Sequence, residues 1–230
     1  MKIFEIRLKV YLLKNVPGEN SAEEISKLID QSLFMNEQTK EMHEKREYAP
    51  YTFNSFFPIE KSNLYKEGNI YTIIIRTISE EFKNHCENYL SNCYTETLKA
   101  LSVEARIFRE GLIEKVYSIS PALIKTDSGY WRNQLTLQDF ERLLKENLYK
   151  KYKHFYQQEI DESVELYTHL QFDNRIPVAI NYKGKKLLGD KVTIQVASNE
   201  VAQTLFFMAL GVGILNNNAR GSGYLNAKFY

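Results

Sequence analysis

Residues 3–13 read IFEIRLKVYLL. Apolar side chains alternate with charged ones along most of this stretch, and a period of two indicates a β-strand. The segment VPGEN at residues 16–20 breaks the pattern, and Ser21 and Glu24 then follow with the spacing of a helix-capping box. Apolar residues next recur at helical spacing, so the sequence predicts a helix from Ala22 to about Met42.

Four further elements complete the predicted first half of the chain. An aromatic stretch at residues 51–56 and a β-branched stretch at residues 70–78 favour strands. A second helix is predicted from Ser79 to about Thr97, and another strand at residues 101–108. The order strand-helix-strand-strand-helix-strand is typical of a ferredoxin-like fold.

The second half is predicted to repeat this order without close sequence similarity to the first. Its predicted strands lie at residues 112–124, 164–180, 192–196 and 224–230, and its predicted helices at residues 136–156 and 198–210, the latter capped by Ser198. A hairpin turn is predicted at KGKK, residues 183–186. The sequence therefore predicts an α+β protein of two tandem ferredoxin-like (RRM-like) β-α-β-β-α-β domains packed side by side. The N-terminal domain would span residues 1–111 and the C-terminal domain residues 112–230.

The composition is that of a globular protein. In 230 residues, 30 Lys and Arg balance 29 Asp and Glu, and 43% of the residues are hydrophobic. These values exclude disordered, collagen-like and coiled-coil classes. The longest apolar stretch, residues 205–215, falls short of the roughly 18 residues of a membrane span. Without a signal peptide pattern, and with 2 Cys, we expect a cytoplasmic protein that does not bind membranes.

Sequence motifs for metal or serine-nucleophile chemistry are absent from the chain. It contains no HExxH, CxxC, DxD or GxSxG. His85, His154 and His169 each lack the neighbouring ligands of a metal site, so we interpret them as structural. The sequence therefore predicts neither a metal nor a cofactor.

A glycine-rich segment, GVGILNNNARGSG, occupies residues 211–223. Glycines let backbone N–H groups approach a phosphate closely, and asparagine and arginine side chains add donors. No acidic residue occurs from Val201 to Tyr230. These features favour a phosphate-binding loop, and the alternative interpretation is a plain turn between a helix and a strand. The candidate phosphate-binding residues in this segment are Gly211, Gly213, Asn217, Arg220, Gly221 and Gly223.

Two clusters of lysine are interleaved with aromatic residues. Such clusters supply phosphate attraction and base stacking to a nucleic acid, although solvated helix and hairpin faces also produce them. The candidates are Lys145, Lys150, Lys151 and Lys153 in the predicted helix, and Lys183, Lys185 and Lys186 in the predicted hairpin.

His43 lies near the end of the first predicted helix, close to Lys45 and Arg46. An imidazole titrates near neutral pH, so it is suited to proton transfer, and neighbouring cations would stabilise phosphate charge. A solvated helix end, where basic residues complement the helix dipole, is the alternative.

Three blocks of sequence carry a family resemblance. They are LKNVPGENSAEEISKLIDQ followed by MHEKREYAPYTFNSFFP, then SPALIKTDSGYWRNQLTLQDFERLLKENLYKKYKHF, and finally ALGVGILNNNARGSGYLNAKFY. In this order and spacing the chain resembles the CRISPR-repeat endoribonucleases that cut precursor guide RNA, members of the RAMP superfamily.

The resemblance implies a fold of two ferredoxin-like domains and metal-independent cleavage within a CRISPR repeat. The products would carry a 2′,3′-cyclic phosphate and a 5′-hydroxyl. His43 matches the catalytic histidine of the family, and residues 211–223 match the loop that shapes its RNA-binding surface. Lys45 or Arg46 would then stabilise the phosphate. The implied partner is CRISPR repeat RNA in precursor crRNA, while effector-complex proteins and a homodimer stay open as further partners.

The chain departs from some relatives at one place. These relatives carry a tyrosine in the first helix facing the histidine, whereas residues 22–42 contain only Phe34 as an aromatic residue. A non-catalytic protein that binds repeat RNA with the same fold is therefore the alternative function. A paired ferredoxin-like protein that binds a metabolite or only protein partners is a third.

Overall fold

The structure is a computed structural model that describes residues 1–36, 48–127 and 129–230. Two four-stranded antiparallel sheets form its framework, one in each half of the chain. Each sheet is covered by helices and has its own buried core. This arrangement confirms the predicted α+β class and the pair of ferredoxin-like units.

The elements of the first half are β1 Phe4–Leu12, α1 Ser21–Leu33, β2 Tyr51–Phe53, β3 Ile70–Thr77, α2 Glu80–Tyr89 and β4 Leu98–Ile107. The first sheet has the strand order of a ferredoxin-like fold, β2-β3-β1-β4. In the centre of the sheet Leu8 pairs with Ile73 on one side and Val103 on the other. Alternation along β1 buries Ile6, Leu8 and Val10 completely, as the pattern predicts.

The elements of the second half are β5 Ile113–Ser118, α3 Leu137–Tyr156, β6 Tyr167–Phe172, β7 Val178–Tyr182, β8 Lys185–Gly189, β9 Val192–Val196, α4 Glu200–Val212 and β10 Leu225–Phe229. The second sheet has the equivalent order, β10-β5-β9-β6. Helix α3 begins with a true capping box, in which Thr136 and Asp139 exchange hydrogen bonds. Its apolar face is buried through Phe140, Leu144 and Leu148.

Strands β7 and β8 form a separate two-stranded hairpin between β6 and β9. This hairpin belongs to the second half in sequence but packs on the first half. Ile180 joins the core of the first half, and the Asn181 side-chain amide donates a 2.7 Å hydrogen bond to Asn20 Oδ1. The hairpin is therefore held against the start of α1.

Arg76 links the two halves at their junction. Its guanidinium donates to Glu5 Oε2 at 3.2 Å, to the Leu225 carbonyl at 2.8 Å and to Asn226 Oδ1 at 3.0 Å. Burial alone would raise the pKa of the Glu5 carboxyl, but the Arg76 and Arg106 guanidinium groups hold it below its ordinary value. A buried ion pair whose donors are satisfied in this way fixes the relative placement of its elements.

Several predicted element ends are wrong at the level of local hydrogen bonding. Ser21 does not cap α1, because its backbone angles are already helical after the 3-10 turn of residues 18–20. Its hydroxyl donates backward to the Gly18 carbonyl at 2.7 Å. Helix α1 ends at Leu33, and the predicted continuation over residues 37–42 lies outside the described residues. Helix α2 ends at Tyr89, before the predicted Thr97, because the chain tightens into a 3-10 turn. Asn199, not Ser198, caps α4, since the Asn199 side chain accepts from the Ala202 amide.

Helices of the described residues do not reach the length and apolar character that crossing a bilayer requires.

Candidate functional site

The candidate catalytic residues His43, Lys45 and Arg46 fall within residues 37–47, which lie outside the described residues. Tyr48 is the first described residue after them. Its ring meets the His154 ring edge-on, with 5.6 Å between centroids, and lies 6.0 Å from Lys151 Nζ. Tyr48 is therefore placed against the C-terminal half of helix α3.

The glycine-rich segment folds around one buried side chain. Asn218 Nδ2 donates to the Ile214 carbonyl at 2.8 Å and to the Ser222 carbonyl at 3.0 Å. Its oxygen accepts a 2.6 Å hydrogen bond from Lys151 Nζ, which also donates to the Gly213 carbonyl at 2.7 Å. The segment is therefore a compact loop closed by internal hydrogen bonds.

The four predicted glycines are buried, and each lies where a side chain would collide. A Cβ on Gly211, inside α4, would lie 2.9 Å from Ile78, and one on Gly221 would lie 2.9 Å from both Ala22 and Phe53. Gly213 and Gly223 have positive φ and are enclosed by Asn218 and the Ile214 carbonyl. Gly211 and Gly221 therefore allow close packing between the two halves, while Gly213 and Gly223 shape the loop.

Asn217 and Arg220 are the other two candidates in the loop. Asn217 is exposed at φ +61°, so its side chain is accessible to a ligand. Arg220 instead pairs with Asp30 of α1 at 2.5 Å and lies 5.3 Å from the centre of the Tyr182 ring. Arg220 therefore joins the loop, α1 and the hairpin, and its side chain is only 22% exposed.

The lysines of α3 divide into an exposed and a buried set. Lys150 and Lys153 are exposed and pair with Glu146 and Glu159. Lys145 is half-buried, with its Nζ 5.2 Å from the centre of the Tyr167 ring. Lys151 is 1% exposed, so it does not present its charge to a ligand as a surface cluster would. Burial lowers the pKa of Lys151 to about 7.

The three hairpin lysines are exposed, so their charges are accessible to a ligand. Lys183 Nζ lies 5.5 Å from the centre of the Tyr182 ring, and Lys186 Nζ lies 3.9 Å from Glu19 Oε2. Lys185 is also exposed. The hairpin therefore offers a cluster of cations next to the loop that Arg220 anchors.

Two neighbouring cavities join these elements into one surface feature, which we call the basic groove. Their volumes are about 410 and 150 Å³, and they share Ile124, Lys125 and Thr126. The cations that line the basic groove are Lys125, Arg142, Lys150 and Lys186, and the acids are Asp127 and Glu146. Tyr48, Tyr130, Asn216 and Asn217 supply aromatic and amide groups. The basic groove thus combines positive charge, rings and amides, the groups that bind a nucleic-acid strand.

Lys125, Arg142 and Tyr48 are groove residues that sequence reasoning missed. Lys125 stands alone in its sequence neighbourhood, but its backbone amide donates a 2.9 Å hydrogen bond to Asn216 Oδ1. That bond ties residue 125 to the glycine-rich loop across the fold. One sequence signal pointed to Lys125. It is the last residue of SPALIK, which opens one of the three blocks that carry the family resemblance.

Among the residues that the structure describes, no group of three or more His, Cys, Asp or Glu side chains could hold a metal ion. His85 is 4% exposed and stacks on Tyr89, and burial lowers its pKa. His85 is therefore a core residue, as predicted.

Residues 103–226 match the model for CRISPR associated protein Cas6, C-terminal, a range that runs from β4 to β10 and includes the loop and most of the groove. The chain belongs to this family. The resemblance seen in the sequence is thereby confirmed. No curated protein matches the chain in sequence.

Solved Cas6 and RAMP structures share the fold along the whole chain. A RAMP protein that binds different RNA substrates is similar with a TM-score of 0.74 and 13% identity, covering 98% of this chain and 99% of the other. A Cas6-related protein from Pyrococcus furiosus is similar with a TM-score of 0.68 and 12% identity, and the match covers 98% of each chain. A Cas6 product complex is similar with a TM-score of 0.64 and 16% identity, and the match covers 99% of each chain. At these identities the similarity establishes the fold.

Proposed function

We propose that the chain is a metal-independent endoribonuclease that binds CRISPR repeat RNA and cleaves precursor crRNA. The observation that carries the proposal is the Cas6-family match over residues 103–226, which includes the loop that borders the basic groove. A Cas6 product complex with the same fold over 99% of both chains supports it. In this proposal residues 1–111 form the domain that carries His43, and residues 112–230 the domain that carries the loop.

The chemistry proposed here uses the ribose 2′-hydroxyl of RNA as the nucleophile. His43 transfers a proton, either from the 2′-hydroxyl or to the departing 5′-oxygen, and Lys45 or Arg46 stabilises charge on the phosphate. The products carry a 2′,3′-cyclic phosphate and a 5′-hydroxyl. No group in this scheme requires a metal.

The basic groove is the path that we propose for the RNA strand near the cleavage site. Its exposed cations attract phosphates, and the rings of Tyr48 and Tyr130 offer stacking surfaces. Lys183, Lys185 and Lys186 extend positive charge from the groove onto the hairpin. Among the candidate RNA-binding residues, we propose that the exposed ones contact the RNA directly. The buried ones support the glycine-rich loop instead.

His43→Ala is expected to lower the cleavage rate of the cognate repeat at least 100-fold, because general acid–base groups contribute about 10²–10⁴-fold. Affinity for the uncleaved repeat should stay within about threefold of wild type, since phosphate contacts dominate binding. Single-turnover cleavage and gel-shift titration measure the two quantities. Wild-type cleavage in excess chelator should be unchanged.

An unchanged cleavage rate in His43→Ala would remove His43 from the catalytic role, and loss of wild-type cleavage in chelator would refute the metal-free scheme. Tight, repeat-specific binding by a wild-type chain that never cleaves would favour the non-catalytic repeat-binding protein. That second candidate is motivated by the absence of tyrosine from residues 22–42.

Replacing Lys183, Lys185 and Lys186 with glutamine is expected to weaken repeat binding and flatten its salt dependence. Each lost phosphate contact should reduce the slope of log affinity against log salt by about 0.7 for single-stranded RNA. The matched control replaces Lys14, Lys83 and Lys228, which pair with glutamates outside the basic groove. If both triple variants give the same slope, the RNA path does not cross the hairpin.

A further inference from the structure

Lys151 occupies an unusual position for a lysine. Its side chain is 1% exposed, and Nζ makes two hydrogen bonds, to the Gly213 carbonyl and to Asn218 Oδ1. Within the described ranges no carboxylate lies in ion-pair contact with it. Burying an amine in this way is unfavourable, and a hydrocarbon side chain would fill the space at lower cost. The residue therefore calls for an explanation beyond packing.

Both acceptors of Lys151 belong to the glycine-rich loop. The Gly213 carbonyl lies at the C-terminal end of α4, where the last backbone oxygens lack helical partners. Asn218 is the side chain around which the loop closes through the Ile214 and Ser222 carbonyls. A single amine thus holds the end of the helix and the centre of the loop together.

A second residue of α3 holds the same loop one helical turn earlier. Asn147 is 8% exposed, and its Oδ1 accepts a 2.9 Å hydrogen bond from the Leu215 amide. Positions 147 and 151 are four residues apart, so they share one face of the helix. Leu215 has a φ of +56°, a conformation that a bulky non-glycine residue adopts only when its surroundings enforce it. The contacts from α3 supply that enforcement.

The groups held in this way border the basic groove. Asn216 and Asn217 lie between Leu215 and Asn218, and they line the larger and the smaller cavity. Asn216 also accepts from the Lys125 amide and so connects the loop to the opposite wall. Any shift of the loop would move these amides relative to a bound strand.

We propose that Lys151 and Asn147 are positioning residues that fix the glycine-rich loop in the shape in which it meets the RNA. Lys151 does so from behind the loop, at 1% exposure, whereas Asn147 holds the loop from within the wall of the larger cavity. The expected effect on RNA cleavage rests on the proposed function. The expected effect on the order of the loop does not depend on that function. A displacement of about 1 Å at a reacting site can cost on the order of 100-fold in rate, so loosening the loop should affect cleavage more than binding.

The first test uses Lys151→Met, which keeps the stem of the side chain and removes both hydrogen bonds. We expect amide hydrogen exchange across residues 213–223 to accelerate at least tenfold in the RNA-free protein, with the sheet amides of β1 and β3 unchanged. Lys14→Met, which removes an exposed lysine paired with Glu96, should leave exchange in the loop unaltered. Unchanged protection of the loop in a folded Lys151→Met protein would overturn the proposal whether or not the chain cleaves RNA.

The second test measures cleavage and binding separately. At saturating repeat RNA, the single-turnover rate of Lys151→Met should fall 10- to 100-fold, while affinity falls less than tenfold. A rate equal to wild type would overturn the positioning role. Failure of the wild-type chain to cleave would count against the proposed function alone, because the exchange experiment still decides whether Lys151 holds the loop.

A pair of Asn147 variants keeps the test decisive if Lys151→Met does not fold. Asn147→Ala removes the acceptor of the Leu215 amide, whereas Asn147→Asp retains an acceptor oxygen there. We expect faster loop exchange and slower cleavage in Asn147→Ala, and recovery of both toward wild type in Asn147→Asp. Equal behaviour of the two variants would contradict a role for this hydrogen bond.

Discussion

Asp190→Ala should lower the free energy of unfolding by about 3–5 kcal/mol, the usual cost of removing one partner from a buried charged network. The carboxylate is 1% exposed. Its donors are Tyr130 Oη at 2.7 Å, Trp131 Nε1 at 2.7 Å, Asn174 Nδ2 at 2.8 Å and Arg132 Nη2 at 3.2 Å. Removing the acceptor leaves the indole N–H of the buried Trp131 and the Tyr130 hydroxyl unsatisfied, and that desolvation penalty sets the size of the effect.

The tyrosine in this network is held as a hydrogen-bond donor. Burial, and then the hydrogen bond to Asp190, raise the pKa of the Tyr130 hydroxyl above its ordinary value. Asp190 also exchanges backbone hydrogen bonds with Ala122, at 2.8 and 3.2 Å, where β8 ends. The network therefore anchors the base of the hairpin that carries Lys183, Lys185 and Lys186.

Denaturant titration of Asp190→Ala measures the stability loss. The control is Asp161→Ala, because Asp161 is exposed and bonds only locally with Ser163, so we expect little change from it. A loss below about 1 kcal/mol in Asp190→Ala would show that the network contributes little, contrary to the argument from unsatisfied donors.

Gly223→Ala is expected to destabilise the protein by about 4 kcal/mol, from backbone strain and a direct collision together. Gly223 has φ +65°, which costs an L-residue about 1–2 kcal/mol. An added Cβ would lie 2.2 Å from the Ile214 carbonyl oxygen. The backbone at Gly223 cannot easily shift to relieve this collision, because two hydrogen bonds hold it. The Gly223 amide donates to the Pro121 carbonyl at 2.9 Å, and the Gly223 carbonyl accepts from the Ile214 amide at 3.0 Å.

Gly184→Ala is the matched control for the collision. Gly184 has φ +72°, but apart from its two chain neighbours no described residue has an atom within 4 Å of an added Cβ in the hairpin turn. The free energy of unfolding of Gly184→Ala should fall only by the backbone-strain contribution of about 1–2 kcal/mol. Thermal or denaturant unfolding of the two variants separates the effects, and equal losses would mean that the loop yields to the added methyl group.

Much of the fold could be predicted from the sequence because its signals are local. The alternation of residues 3–13 and the β-branched run at 70–78 led directly to β1 and β3. The stretch 192–196 and the hairpin turn at 183–186 were also predicted correctly. Each of these patterns depends on the chain's own backbone period, which needs no knowledge of distant residues.

The ends of the elements were less predictable because capping depends on competition between neighbouring groups. Ser21 had the spacing of an N-cap for α1, yet its hydroxyl donates a hydrogen bond to the Gly18 carbonyl instead. Asn199 displaced Ser198 as the cap of α4 for a similar reason: an amide oxygen one position further on reached the free backbone donor. These choices differ by single hydrogen bonds, which residue type alone does not decide.

The sequence by itself determined the two ferredoxin-like units, the family resemblance, and His43 as the candidate for proton transfer. Tertiary structure alone decided that Lys151 is buried while Lys150 is exposed, that Gly211 and Gly221 serve contacts between the halves, and that Lys125 lines the basic groove. The physical reason is range: strand and helix patterns arise from residues a few positions apart. The groove and the buried amine arise from contacts between segments 60 or more residues apart, such as Lys151 with Gly213 at a separation of 62.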